Sequence, residues 1–190
     1  MSELSDPYVL PPDLPEPVDD GGADHLEGAA VPALSFPSTS GEDINLAAVA
    51  HGPLVLYCYP RTGRPGEPLP TGWDQIPGAR GCTPQACAFR DHFAELRALG
   101  VGVVGLSAQS LDDQVEFAER AALPYQLLSD PELALAGALR LPTFEVAGMR
   151  LYRRLTLIAH RHEIVKVFYP VFPPDRNAAD VIDWLAAHRL

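Results

Sequence analysis

Two rhythms of apolar positions alternate along the chain. Leu54–Tyr59 is an unbroken apolar and aromatic run stopped by Pro60, the pattern of a short strand buried on both faces. Val101–Leu106 reads as a second strand and Tyr125–Leu128 as a third, weaker one. Leu155–Ala159 and Ile164–Tyr169 flank a turn near His160–Glu163 and predict a hairpin. Between these runs the period lengthens to that of a helix. Phe89, Phe93, Leu96 and Leu99 form one apolar stripe that Gly100 can close. Ser110 is placed to cap a helix buried through Leu111, Val115 and Ala118, with Asp112 and Asp113 at the positive end of its dipole. Pro131 can open a further helix, and Asp175 or Asn177 can cap a last one with the stripe Ala178, Val181, Ile182 and Leu185. Helices alternating with short buried strands predict an α/β fold, and the terminal hairpin makes its central sheet mixed.

Two segments break the rhythm. From Arg61 to Gly81 no period is visible, although a structureless connection beyond about 12–15 residues is uncommon inside a compact domain. This segment delivers the chain to Cys82, which favours a functional role for it. Residues 1–30 hold eight of the chain's 25 acidic residues, none of its 14 lysines and arginines, and five of its prolines. Like charges and prolines disfavour a packed core, so residues 1–33 are expected to be an acidic, proline-rich N-terminal extension, solvated or draped over a single domain of residues 34–190.

Composition narrows the classes. At 190 residues and 47% hydrophobic the chain can bury roughly 70% of its unfolded surface, enough for a core without disulfide or metal staples. Twenty prolines argue against an all-helical bundle. The net charge of −11 disfavours nucleic acid and anionic lipid as partners. No run approaches the ~18–20 apolar residues of a membrane span, and the N-terminus lacks the basic and apolar regions of a secretory signal. The expected location is therefore the cytoplasm. No resident cofactor or metal is implied: Cys82, Cys87 and His92 lack an evident fourth ligand and a standard zinc spacing.

The chemistry lies in Gly81-Cys82-Thr83-Pro84-Gln85-Ala86-Cys87-Ala88-Phe89-Arg90-Asp91. Pro84 suits a first helical turn and Thr83 can cap it, so Cys82 is expected at a helix N-terminus. Unpaired N–H groups and the helix dipole favour an anion there and should lower the thiol pKa. Gly81 lets the backbone approach whatever Cys82 attacks. On an intact helix the Cα atoms of Cys82 and Cys87 would lie roughly 8–9 Å apart, beyond the reach of a disulfide. They can bridge only if the first turn unwinds, which suggests a cycle with two conformations. The residues alone leave Cys87 with two readings, a redox partner or a small buried side chain. Cys58, between two tyrosines in a strand, reads as packing, with an alternative resolving thiol as the other possibility.

Gly81 to Asp91 resembles the active site of the peroxiredoxins, most closely the peroxiredoxin Q or bacterioferritin-comigratory branch, whose fixed Gly-Cys-Thr-x-x-Ala-Cys-x-Phe-Arg-Asp positions it satisfies. The resemblance runs from about Leu34 to Leu190 through Tyr59-Pro60, Leu128-Ser129-Asp130, Arg154–Ile158 and Trp184-Leu185. It implies a thioredoxin-like fold and a thiol peroxidase acting on hydrogen peroxide and organic hydroperoxides. In that chemistry Cys82 becomes a sulfenic acid and Cys87 condenses with it to an intramolecular disulfide, which thioredoxin or a similar dithiol reduces. Arg154 matches the family arginine that holds thiolate and peroxide, with Arg153 as the neighbouring alternative. A monomer or weak homodimer is expected.

The departure is upstream. The family pattern Pro-x-x-x-Thr-x-x-Cys has Gln75 and Ala79 at its proline and threonine positions here. If Pro60 is the family proline, residues 61–81 are an insertion. Thr62, Thr71 or backbone N–H groups near Cys82 are then the candidates to replace the missing hydroxyl. Trp73 can cover the site or pin the insertion, and His160 and His162 are expected at the surface. Two rivals remain: a general thiol-disulfide oxidoreductase, disfavoured by the absence of Cys-x-x-Cys, and a non-catalytic redox sensor or binding module.

Overall fold

The computed structural model describes residues 8–188 and 190; residues 1–7, with Glu3 and Asp6 of the acidic segment, and Arg189 lie outside the described residues. A small hairpin of β1 (Ser35–Pro37) and β2 (Asp43–Asn45) leads through the short helix α1 (Leu46–Val49) into β3 (Leu54–Cys58). The irregular segment follows, relieved only by a 3-10 turn at Trp73–Gln75, and then α2 (Cys82–Asp91) and α3 (Phe93–Ala98). β4 (Gly102–Ser107), α4 (Leu111–Arg120), β5 (Gln126–Ser129) and α5 (Ala134–Leu139) complete a parallel half. A second hairpin of β6 (Thr143–Val146) and β7 (Met149–Tyr152) precedes β8 (Leu155–His160), β9 (Glu163–Phe168) and the closing helix α6 (Asn177–Ala187).

The central sheet has the order β5-β4-β3-β8-β9. β3 pairs in parallel with β4 and antiparallel with β8, so the sheet is mixed as the terminal hairpin predicts. All five residues of β3 are buried because both faces of the sheet are covered. Successive side chains point to opposite faces. Leu54, Leu56 and Cys58 therefore join a core with Leu46, Leu135 and Leu139, whereas Val55 and Tyr57 join one with Phe89, Phe117 and Val181. The second core carries α2 and the site.

The predicted elements hold with instructive differences. The stripe from Phe89 to Leu99 is not one helix: it breaks at His92, and Leu99 is exposed after the break. Ser110 caps α4 by accepting the Asp113 N–H, but the buried face is Gln114 and Phe117 rather than Leu111, Val115 and Ala118. Pro131 does not open α5. That helix starts at Ala134, with the Asp130 carboxylate accepting the N–H groups of Ala134 and Leu135. The stripe of α6 is buried as predicted, yet neither Asp175 nor Asn177 caps it, since a 3-10 turn at Pro174–Arg176 leads in. The β6–β7 hairpin, turned at Ala147-Gly148 with both φ positive, has strands too short and too exposed to show a clear alternation.

Over its described residues the acidic segment is draped on the domain, anchored at a few points. Ala23 and Leu26 are buried in the first core, Ala30 bridges to Glu163, and the Glu27 carboxylate accepts from Lys166 Nζ and the Val167 N–H. Packing thus begins before the predicted boundary at residue 34. Among the described residues no helix is long and apolar enough to cross a membrane.

Candidate active site

The site forms where β3 ends and the chain must travel to α2. Trp73, buried in this irregular path, packs with Ala79, Val146 and Leu151, its ring 6.1 Å from that of Phe144. It pins the 61–81 segment onto the β6–β7 hairpin and also lines the cavity beside Cys82. The segment walls a cavity of about 740 Å³ that reaches Cys82 and Thr83. Gly81 is the N-cap of α2 with φ +97°, and a Cβ there would collide with Pro174 Cγ. Only glycine fits both the left-handed backbone and that contact. Gly81, not Thr83, therefore starts the helix; Thr83 lies within it, buried beside Cys82.

Cys82 is the first residue of α2, as its sequence context predicts, and is 4% exposed. Its Sγ lies 3.7 Å from the Ala79 carbonyl and accepts from Arg154 Nη2 at 3.1 Å. Arg154 sits immediately before β8 and is 3% exposed. Its Nη1 donates to Gln85 Oε1, and Nη2 also reaches the Arg80 carbonyl at 3.0 Å. Gln85 is held in turn through Nε2 to Asn177 Oδ1 at 3.0 Å, and Thr156 Oγ1 donates to the same oxygen at 2.7 Å. No carboxylate is paired with Arg154 among the described residues. A buried guanidinium needs polar partners, and besides Gln85 Oε1 and backbone carbonyls the partner it has here is the Cys82 sulfur. Arg153, the alternative, points away, its guanidinium 5.9 Å from the centre of the Phe144 ring.

Cys87 lies on α2 half-buried, and all three cysteines are free thiols. Burial pushes the Cys87 thiol up, against a smaller lowering by Arg90, so it is protonated near neutrality. With α2 intact from Cys82 to Asp91, the two thiols cannot bridge without local unwinding. Cys58 is fully buried in the opposite core, where burial raises its thiol far above the ordinary range. It packs, remote in character from the site.

Thr62 is buried and lines the cavity, but its N–H and hydroxyl both donate to Gln109 Oε1, at 2.7 and 3.1 Å. Thr71 is exposed. Neither hydroxyl is on the Cys82 sulfur. His92 is on Glu95, and no group of three metal-ligating side chains occurs among the described residues. His162 is exposed as expected, whereas His160 is half-buried. The Gln85–Asn177–Thr156 chain that orients Arg154 is absent from the sequence reading. Asn177 was legible only as a candidate cap, because its role depends on α2, β8 and α6 meeting in space.

A model of the Redoxin family matches residues 26–182. The chain is 29% identical to the chloroplastic peroxiredoxin Q of Suaeda salsa, over 84% of this chain and 67% of that one. It is 31% identical to peroxiredoxin bcp1 of Schizosaccharomyces pombe, over 66% of this chain and 58% of the relative. The crystal structure of the peroxidoxin BcpB of Mycobacterium tuberculosis superposes with a TM-score of 0.71 at 26% identity, covering 87% of this chain and all of that one. A PrxQ mutant of Xylella fastidiosa has the same TM-score at 20% identity and shares the fold. The thioredoxin-like architecture, Cys82 at the start of α2 and these matches agree: the chain is a thiol peroxidase of the Redoxin family, similar to the peroxiredoxin Q and Bcp proteins.

Proposed function

We propose that Cys82 is the nucleophile of this peroxidase, Arg154 its charge-holding partner and Cys87 its resolving thiol. The observation that carries the proposal is the 3.1 Å contact between Arg154 Nη2 and Cys82 Sγ in a place where that guanidinium has no carboxylate partner among the described residues. A fixed guanidinium offers forked donors and keeps its charge near neutrality. Its Nε is buried with no partner among the described residues, a donor still available to a peroxide oxygen.

The Cys82 thiolate attacks the terminal oxygen of a hydroperoxide, breaking the O–O bond. The oxygen bound to sulfur becomes a sulfenic acid, and the other leaves as alkoxide or hydroxide and takes up a proton. Cys87 then attacks the sulfenic sulfur, a disulfide forms and water departs. Two electrons from thioredoxin or a similar dithiol restore both thiols by exchange. The cavity beside Cys82 is large enough for an organic hydroperoxide as well as hydrogen peroxide. Three unpaired thiols suit a reducing compartment, and we place the protein in the cytoplasm as a monomer or weak homodimer.

An NADPH-coupled assay with thioredoxin and thioredoxin reductase tests this. The wild-type chain should turn over many peroxides, and Cys82→Ser none. Cys87→Ser should consume one equivalent and stall. A chain that stops after a single peroxide even with both cysteines present is a sensor, and near-native turnover by Cys82→Ser removes Cys82 from its role.

A further inference from the structure

The segment between the two cysteines is fastened to the sheet by a side chain that the reaction does not use. Tyr125, just before β5, donates its hydroxyl proton to the Ala86 carbonyl at 2.8 Å. Its oxygen lies 3.0 Å from the Tyr57 hydroxyl on β3. Because a carbonyl can only accept, Tyr125 donates to Ala86 and Tyr57 donates to Tyr125. Tyr57 is fully buried, Ala86 is 1% and Tyr125 7% exposed, so no water competes for this chain of hydrogen bonds. The rings brace it: Tyr57 stacks on Phe89 of α2 at 4.9 Å, and Phe93 lies 5.8 Å from Tyr125.

Ala86 is the residue directly before Cys87, and the disulfide forms only if the helix carrying this carbonyl opens. We infer that Tyr125 is a positioning residue that latches α2 closed through the Ala86 carbonyl and so sets how long the Cys82 sulfenic acid waits before Cys87 reaches it. The inference rests on the assignment of Cys82 and Cys87 above. During that wait a second peroxide competes for the sulfenic acid, taking it to sulfinic acid with loss of one more O–O bond. The latch therefore fixes the peroxide level at which the enzyme is lost to over-oxidation. It leaves the first step alone, since Tyr125 touches neither sulfur nor Arg154 in any hydrogen bond.

Rapid-mixing kinetics on the full chain tests this, with sulfenic acid, disulfide and sulfinic acid resolved by quenching and mass spectrometry. In Tyr125→Phe, disulfide formation should be about 5- to 10-fold faster, the consequence of losing one buried hydrogen bond that only the closed helix makes. The peroxide concentration giving half sulfinic acid should rise by a similar factor, while the first-step rate stays within about twofold. Tyr57→Phe keeps the Ala86 bond and should change disulfide formation by less than about twofold, which separates a latch from general loosening of the core. The double variant Tyr57→Phe/Tyr125→Phe leaves no unpaired phenol and should behave as Tyr125→Phe. Resolution in Tyr125→Phe and in the double variant no faster than in wild type would overturn the inference, as would equal acceleration by Tyr57→Phe. Failure of the wild-type chain to form a Cys82–Cys87 bridge overturns instead the assignment beneath it.

Discussion

A guanidinium buried without a carboxylate among the described residues is a costly object, and the side chain that Arg154 Nη2 reaches instead, at 3.1 Å, is the proposed nucleophile Cys82. Removing the cation should therefore act on Cys82 directly. In Arg154→Ala the pH at which half of Cys82 reacts with iodoacetamide should move upward, and the peroxide rate should fall about 100-fold, the scale seen when one fixed donor is lost from a developing charge. An unchanged alkylation profile contradicts the pairing. Arg154→Lys keeps charge but not the fork, so it should recover only part of the rate, because one ammonium cannot replace the pair of donors now on Gln85 and Cys82. Cys87 is the counterpart: burial raises its thiol, so at neutral pH it is protonated and slow. Peptide mapping after brief alkylation at pH 7 should find Cys82 modified well ahead of Cys87, and the reverse order would reassign the nucleophile.

At the scale of elements, the legible parts of the sequence were those decided locally. β3, β4 and the β8–β9 hairpin follow from runs of apolar residues, Ser110 caps α4 as its position indicates, and Cys82 begins α2. What escaped was decided by neighbours distant in sequence. Gln114 is buried on α4 because Tyr59 donates to its Oε1 and the Leu128 carbonyl accepts from its Nε2. Asn177 is taken from capping by Gln85 and Thr156, and His92 breaks a stripe whose periodicity continues through it. The 61–81 segment was recognisable as irregular, but its shape depends on Trp73 reaching a hairpin that left little pattern. Trp73→Ala should cost about 3–5 kcal/mol of local packing. Limited proteolysis should then cut within 61–81 at a protease level that leaves wild type whole, with the central sheet intact by circular dichroism. Equal resistance in both would show that the segment is held by other contacts.

Across the whole molecule, the described part of the acidic N-terminal stretch packs onto the folded unit. Leu26 is fully buried against the first core and Glu27 ties the stretch to β9, while Leu10 Cδ2 lies 2.9 Å from where a Cβ on Gly81 would stand. Its composition leaves solvated and draped equally open because the few apolar residues that anchor it are outnumbered by acids and prolines. Leu26→Ala should destabilise the chain by about 2–5 kcal/mol in denaturant unfolding, whereas a solvated tail would be indifferent to the change. The sheet, the buried cation and the start of α2 thus converge on one sulfur atom. The most direct measurement is made on Cys87→Ser treated with one equivalent of hydrogen peroxide and then dimedone. Mass spectrometry should place a single dimedone adduct on Cys82. An unmodified Cys82, or an adduct on Cys58 in its place, would contradict the account.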